Sequence, residues 1–177
     1  ERHVEGMFEY EMMDLGAESY VQAFAPMVAT GPKNSFISMC RNTMREIEEN
    51  EIVNLAAGVS LEGYNGICCS PLVLGEIPEK IRDAVKCAYD ALNYASSLMK
   101  PGTPCDVVLN AYTDYLTKYG YIDYCPYGSL HSTGMLECEA PVFSVSNKRI
   151  IEEGMAICVD AYFKGMEWGS FRLENCY

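Results

Sequence analysis

The sequence predicts an α+β domain with helices on one face of an antiparallel-rich sheet, and three observations carry that reading. Two strand-like runs joined by a short turn occupy residues 51–69, two helical stretches follow over 78–118, and apolar strands return after Tyr121. Strands segregated on either side of a helical block favour α+β over an alternating βαβ order. The length of 177 residues fits one domain spanning 1–177. A content of 49% apolar and 21% charged residues is that of a chain with a proper core.

The elements follow in chain order. Residues 1–16 are acidic and methionine-rich, with Val4, Met7, Phe8 and Met12 spaced for one helical face. Residues 19–30 read as a strand closed by a turn at Gly31-Pro32. The runs 51–59 and 62–69 read as a hairpin. A helix is expected over 78–99, with Pro78 in its first turn, Glu79 at its positive end and a stripe of Ile81, Val85, Ala88, Leu92 and Ala95. Lys100-Pro101-Gly102 stops it. The next helix is expected to use Thr103 as N-cap, Pro104 at N1 and Asp106 at N3, and to run to Lys118. Val108, Ala111, Tyr112, Tyr115 and Leu116 are its expected buried face. The runs 155–163 and 169–177 read as strands.

Charge narrows the partners. Thirteen basic against 25 acidic residues give a net charge of −12, a surface that repels phosphate backbones and anionic lipid. Neither nucleic acid nor a membrane surface is an expected partner, and no apolar run is long enough to span a bilayer. Nine cysteines without any CxxC spacing argue against a structural zinc site and fit a reducing cytoplasm. Cys87, Cys105 and Cys176 read as small buried hydrophobes. The chain starts at Glu1 with no leader-like stretch. It is expected to be the C-terminal part of a longer chain, shortened in its last strand.

Candidate chemistry lies in the second half. Asp160 sits inside an apolar strand, where an ionised carboxylate is costly unless paired. Glu174 poses the same question, with Arg172 two residues earlier on the same strand face. His131 lies in a stretch of small residues, Gly128-Ser-Leu-His-Ser-Thr-Gly, that admits close approach of backbone to a ligand. Singly, each has an ordinary explanation: an ion-paired carboxylate, a hydrogen-bonded core histidine, or, for Glu137 and Glu139, a solvated face.

Four stretches then stand in order: Glu51-Ile-Val-Asn-Leu-Ala-Ala-Gly with Glu62-Gly-Tyr-Asn-Gly-Ile, His131-Ser-Thr-Gly-Met-Leu-Glu-Cys-Glu-Ala-Pro141, Gly154-Met-Ala-Ile-Cys-Val-Asp160, and Phe171-Arg-Leu-Glu174. Together they resemble the pita-bread family that includes methionine aminopeptidase, prolidase, Xaa-Pro aminopeptidase and creatinase. The resemblance implies duplicated αββ units, a curved antiparallel-rich sheet with helices on its outer face, and a site on the concave face. It also implies a domain upstream through which the longer relatives dimerise, so a homodimer is expected.

The family's active metalloenzymes hold two divalent ions with two Asp, one His and two Glu. Matched by position, the two Asp fall on Ala56 and Ile67, the His on His131, the first Glu on Asp160 and the second on Glu174. A slip of register would put Cys68, a soft ligand, at the second position. The family's two substrate-contacting histidines fall on Cys138 and on the stretch Ser38-Met39-Cys40. His131, Asp160 and Glu174 are therefore the expected catalytic groups, Cys138, Met39, Cys40 and Cys68 the expected substrate-side residues, and no metal or other cofactor is assigned. Three functions remain open: metal-independent hydrolysis or lysis of a small C–N-bonded substrate or short peptide, a non-catalytic binding or assembly module, and an ordinary metal-dependent Xaa-Pro peptidase.

Overall fold

The structure is a computed structural model and describes residues 1–18, 23–35, 43–126 and 129–177. Its elements run α1 (Arg2–Asp14), β1 (Met27–Thr30), a short α2 (Gly31–Asn34), β2 (Ile52–Leu61), β3 (Tyr64–Val73), α3 (Glu79–Leu98), α4 (Cys105–Lys118), a single 3₁₀ turn at Ile122–Tyr124, β4 (Ser129–Ser132), β5 (Glu139–Val142), β6 (Ile157–Met166) and β7 (Gly169–Cys176). The seven strands form one sheet in the order β1-β2-β3-β7-β6-β4-β5, with antiparallel pairing throughout. The expected α+β class with an antiparallel sheet is what the structure has. No helix among the described residues is long and apolar enough to cross a membrane.

The hairpin is the best-specified local unit. Leu61 pairs with Tyr64 across Glu62 and Gly63, both at positive φ (52° and 80°), the backbone a two-residue turn needs to match the strand twist. At the other end of β3 the sheet opens: β3 pairs with β7 only through Cys68↔Asn175 and Cys69↔Glu174. The side chain of Asn54 closes part of the gap by accepting a hydrogen bond from the Arg172 backbone N–H at 3.0 Å.

Alternation along β6 and β7 divides the molecule into two faces. Ile157, Val159, Ala161 and Phe163 of β6, with Phe171 and Leu173 of β7, pack against Ile81, Ala84, Ala88, Ala91, Leu92 and Ala95 of α3 and Val108, Leu109, Tyr112 and Leu116 of α4. The alanine-rich face of α3 lets the helix lie close to the sheet. Tyr112, fully buried, donates its hydroxyl to the Asp160 carbonyl at 3.2 Å and so ties α4 to β6. The intervening residues of β6 and β7, among them Asp160, Arg172 and Glu174, face the other way.

Several expectations shift. Only Met27–Thr30 of the expected 19–30 strand is strand; residues 23–26 are irregular and end in Pro26, which has no N–H for a ladder, and 19–22 lie outside the described residues. Gly31-Pro32 opens the short α2 rather than a simple turn. The cap of α4 is Pro104 in extended conformation, not Thr103, and no side chain bonds the helix start. Asp106 is buried and ion-paired with Lys148, a tertiary contact rather than a solvated first-turn charge. Leu109 takes the core position expected of Ala111 or Tyr115, which are half-buried.

One polar anchor fixes the N-terminal helix. The Glu1 carboxylate, 6% exposed, accepts from the N–H and hydroxyl of Thr30 at 2.9 Å each, from Asn34 at 2.6 Å and from the Thr43 N–H at 2.9 Å. Burial pushes its carboxyl up, but the Thr43 and Thr30 bonds outweigh that and hold it below its usual range. A depressed carboxylate stabilises the fold above its unfolded-state value and loses that contribution as pH falls through the folded one. Glu1→Gln is expected to cost about 2 kcal/mol at neutral pH, with the difference closing in acid, as read by urea unfolding at both pH values. Tyr112→Ala is expected to cost about 3–5 kcal/mol in the same measurement.

Candidate functional site

The concave face is organised as transverse rows of residues directly opposite one another. One row crosses six strands as Met27, Ala56, Cys69, Glu174, Asp160 and Ser129. The next row places His131 opposite Cys158 and Cys158 opposite Cys176. Directly opposed side chains interact most strongly in a sheet. Met27, Ala56, Ile67, Cys69 and Cys158 make one buried apolar cluster, while Glu174, Asp160, His131 and Arg172 make a charged one beside it.

Arg172 holds the two carboxylates. Its Nη2 lies 2.6 Å and its Nε 2.9 Å from Asp160 Oδ2, and its Nε is 3.4 Å from Glu174 Oε2. Asp160 and Glu174 are both at 0% exposure and Arg172 at 8%. Breaking such a pair by removing one partner leaves a buried charge uncompensated, which costs several kcal/mol. Burial opposes the Arg172 charge, but the two carboxylates raise its pKa above the ordinary value. Of the expected catalytic groups, Asp160 is thus ion-paired.

His131 and Glu174 meet from strands β4 and β7. Nδ1 of His131 lies 3.0 Å from the Ser132 carbonyl, an atom that only accepts, so Nδ1 carries a proton. In the neutral ring Nε2 is then bare, and it faces Glu174 Oε1 at 3.6 Å. That oxygen has no hydrogen-bond partner. Glu174 Oε2 lies 3.2 Å from the Cys69 thiol, which donates to it. Burial disfavours the imidazolium, yet Glu174 and the Ser132 carbonyl outweigh it and raise the His131 pKa. Burial likewise pushes Glu174 up, while His131, Arg172 and Cys69 more than offset it and hold the carboxyl below its ordinary value.

The loop after His131 is pinned from the hairpin. Asn65 donates both its backbone N–H (2.7 Å) and its side-chain amide (3.0 Å) to the Gly134 carbonyl. A Cβ at Gly134 would stand 2.7 Å from Glu139 Oε1, so any side chain there would make the Glu139 carboxylate move. Glu139 is half-buried and accepts from the Leu136 N–H, rather than lying in open solvent. Met135, by contrast, is 71% exposed and does not fill the centre, whereas Ile67 is buried there.

The expected substrate-side cysteines do not converge on the pair. Cys138 and Cys68 are exposed, and burial as the leading cause raises both thiols above their ordinary values, away from a ready nucleophile. Met39 and Cys40 lie outside the described residues. Cys176, expected to be a buried hydrophobe, is exposed; its Sγ lies 2.8 Å from Cys158 Sγ, and that hydrogen bond lowers its thiol to about 7. Cys87 and Cys105 are buried in the helical core as expected. Two residues were missed. Cys69 reaches Glu174 only through the β3–β7 register, which nothing in the sequence states. Cys158 was findable, since it stands two before Asp160 and so shares its strand face. Its Sγ, His131 and Glu174 offer ligand atoms all within 4.8 Å of one another.

The comparisons with known proteins agree with this fold. The model of metallopeptidase family M24 matches residues 1–177. An uncharacterized peptidase of Bacillus subtilis, YqhT, is 26% identical over 167 residues, covering 94% of this chain and 46% of the relative. An Xaa-Pro dipeptidase of Lactobacillus delbrueckii subsp. lactis is 26% identical over 176 residues, covering 99% of this chain and 47% of the relative. The prolidase from Pyrococcus furiosus superposes with a TM-score of 0.91 at 27% identity, over 99% of this chain and 51% of that one. The prolidase from Pyrococcus horikoshii OT3 gives 0.91 at 26%, over 99% and 50%. The chain spans about half the length of the curated relatives it matches. With the pita-bread sheet, the ordered motifs and a family match along its whole length, this chain belongs to metallopeptidase family M24.

Proposed function

We propose that this chain is the catalytic-type domain of a hydrolase for a C–N bond in a short peptide or comparably small substrate, with His131 and Glu174 handling the proton and without the paired divalent ions of active relatives. The observation that carries the reading is the buried pair itself: His131 Nε2 facing Glu174 Oε1 at 3.6 Å, a contact across which a proton can be held. Burying such groups is costly without compensation, and positioned proton donors and acceptors are what general acid–base catalysis requires. Water adds across the bond: its oxygen attacks the carbon as Nε2 accepts its proton. The imidazolium, held beside the Glu174 carboxylate, then returns that proton to the leaving nitrogen. Asp160, bound by Arg172, balances charge and positions Glu174 rather than carrying the proton.

Paired divalent ions do not fit the residues present. The two positions matched to the family's Asp ligands carry Ala56 and Ile67, which offer no donor atom and are packed with Met27. A two-metal clamp needs ligands to both ions. Ordinary Xaa-Pro dipeptidase activity, the activity in the name of the Lactobacillus relative, would need that clamp; family and fold alone do not supply it.

A second reading, a binding or assembly module without turnover, is favoured by one observation: Asp160 is locked to Arg172 beside an apolar wall. The two readings part on His131→Ala, assayed with wild type against dipeptides, amides and guanidino compounds. Loss of about 100-fold or more of the wild-type rate is expected; equal rates, or no wild-type turnover on any of them, would leave the binding module. Arg172→Met is expected to lower stability by about 3–5 kcal/mol in chemical unfolding. An unchanged midpoint would mean that the buried carboxylates do not depend on its charge.

A further inference from the structure

We infer that His131 Nε2, Cys158 Sγ and Glu174 Oε1 form a site for a single soft divalent cation of the zinc class, differing from a paired-ion centre in the number of ions and in Cys158, a ligand outside the positions matched to the family's set. The three atoms are an imidazole nitrogen, a thiol sulfur and a carboxylate oxygen, and all lie within 4.8 Å of one another in a buried setting. Zinc bonds of about 2.0–2.3 Å to N, O and S need only a small contraction from that spacing. The Glu174 oxygen involved is fully buried and without a hydrogen-bond partner, the condition a cation relieves.

The surroundings are arranged as a metal ligand set requires. A ligating histidine commonly donates its other ring N–H to a backbone carbonyl, which fixes the tautomer; His131 does this to Ser132. The other Glu174 oxygen is held by the Cys69 thiol and lies beside Arg172, so the carboxylate is oriented with one oxygen left over. Charge balances too. With His131 neutral and Cys176 a thiol, Asp160, Glu174 and a Cys158 thiolate carry three negative charges against the one positive charge of Arg172, and a divalent cation brings the sum to zero. Binding releases the Cys158 thiol proton to solvent and forms an S–metal bond, with no redox change. A thiolate ligand selects a soft ion over manganese or magnesium. A fourth position remains for water or for Cys176, whose Sγ lies 2.8 Å from that of Cys158.

The site stands on geometry and not on the turnover reading. Where that reading holds, bound zinc ties up the His131 lone pair and lowers the rate. The test uses metal-stripped protein kept reduced by a phosphine, titrated with Zn²⁺ against a chromophoric chelator and separately with Co²⁺. One ion per chain and a thiolate-to-cobalt charge-transfer band are expected. Cys158→Ser should abolish the band and weaken Zn²⁺ binding at least about tenfold, whereas Cys138→Ser, which alters an exposed thiol, should leave both unchanged. Zn²⁺ should also raise the thermal midpoint of wild type more than that of Cys158→Ser, and the variant's own metal-free midpoint, close to that of wild type, shows that it folds. Stoichiometry far below one, a band that survives Cys158→Ser, or no wild-type shift would overturn the inference. None of these readouts involves substrate, so failure of the proton-transfer reading leaves them intact.

Discussion

Two carboxylates at zero exposure on neighbouring strands cannot both stay ionised without positive charge beside them, and Arg172 supplies it. That requirement orders much of the concave face. Asp160 and Glu174 are directly opposite in the β6–β7 ladder, and Arg172, two residues before Glu174, reaches diagonally to Asp160 while its Nε stays near Glu174. Its backbone is held in turn by Asn54, which bridges the place where β3 and β7 separate. With one carboxylate neutralised, the centre keeps one negative charge, and that charge faces His131.

The helix side of the same strands sets the precision of this arrangement. Period-two alternation sends Ile157, Val159, Ala161, Phe171 and Leu173 into the core under α3 and α4, and leaves their neighbours no choice but the opposite face. A one-residue slip would bury the aliphatics among charges and expose the carboxylates to the helices. Register is therefore enforced by the apolar core, and the polar centre inherits its geometry from packing on the other face. A rigid scaffold of this kind can host different chemistry when a few inward residues change, which is how membership of a peptidase family and a centre with Ala56 and Ile67 coexist.

What was legible in the sequence follows the same physics. Periodicity made α3, α4, the hairpin and the last two strands readable, because each has enough residues for its repeat to stand out. The short β1 was overextended, since apolar residues up to Pro26 mimic strand without its hydrogen bonds, and the α4 cap was misplaced by one because Thr103 offers a capping side chain that the backbone does not use. Within the site, the ordered motifs point to His131, Asp160 and Glu174, which the structure brings together on neighbouring strands. The Arg172–Asp160 contact is a cross-strand diagonal, and the approach of Cys69 to Glu174 depends on pairing between strands more than 100 residues apart in sequence. Such contacts are fixed by register, which local pattern does not encode. Residues 38–40, where a further site element was expected, lie outside the described residues.

The central claim is that the residues of the concave centre do not suit two ions held side by side. Anomalous diffraction from crystals of the protein equilibrated with excess manganese tests it most directly. The account predicts no pair of manganese peaks on the face formed by Ala56, Cys69, Glu174 and Asp160. Two peaks about 3.5–4 Å apart there, with Asp160 and Glu174 among their ligands, would contradict it.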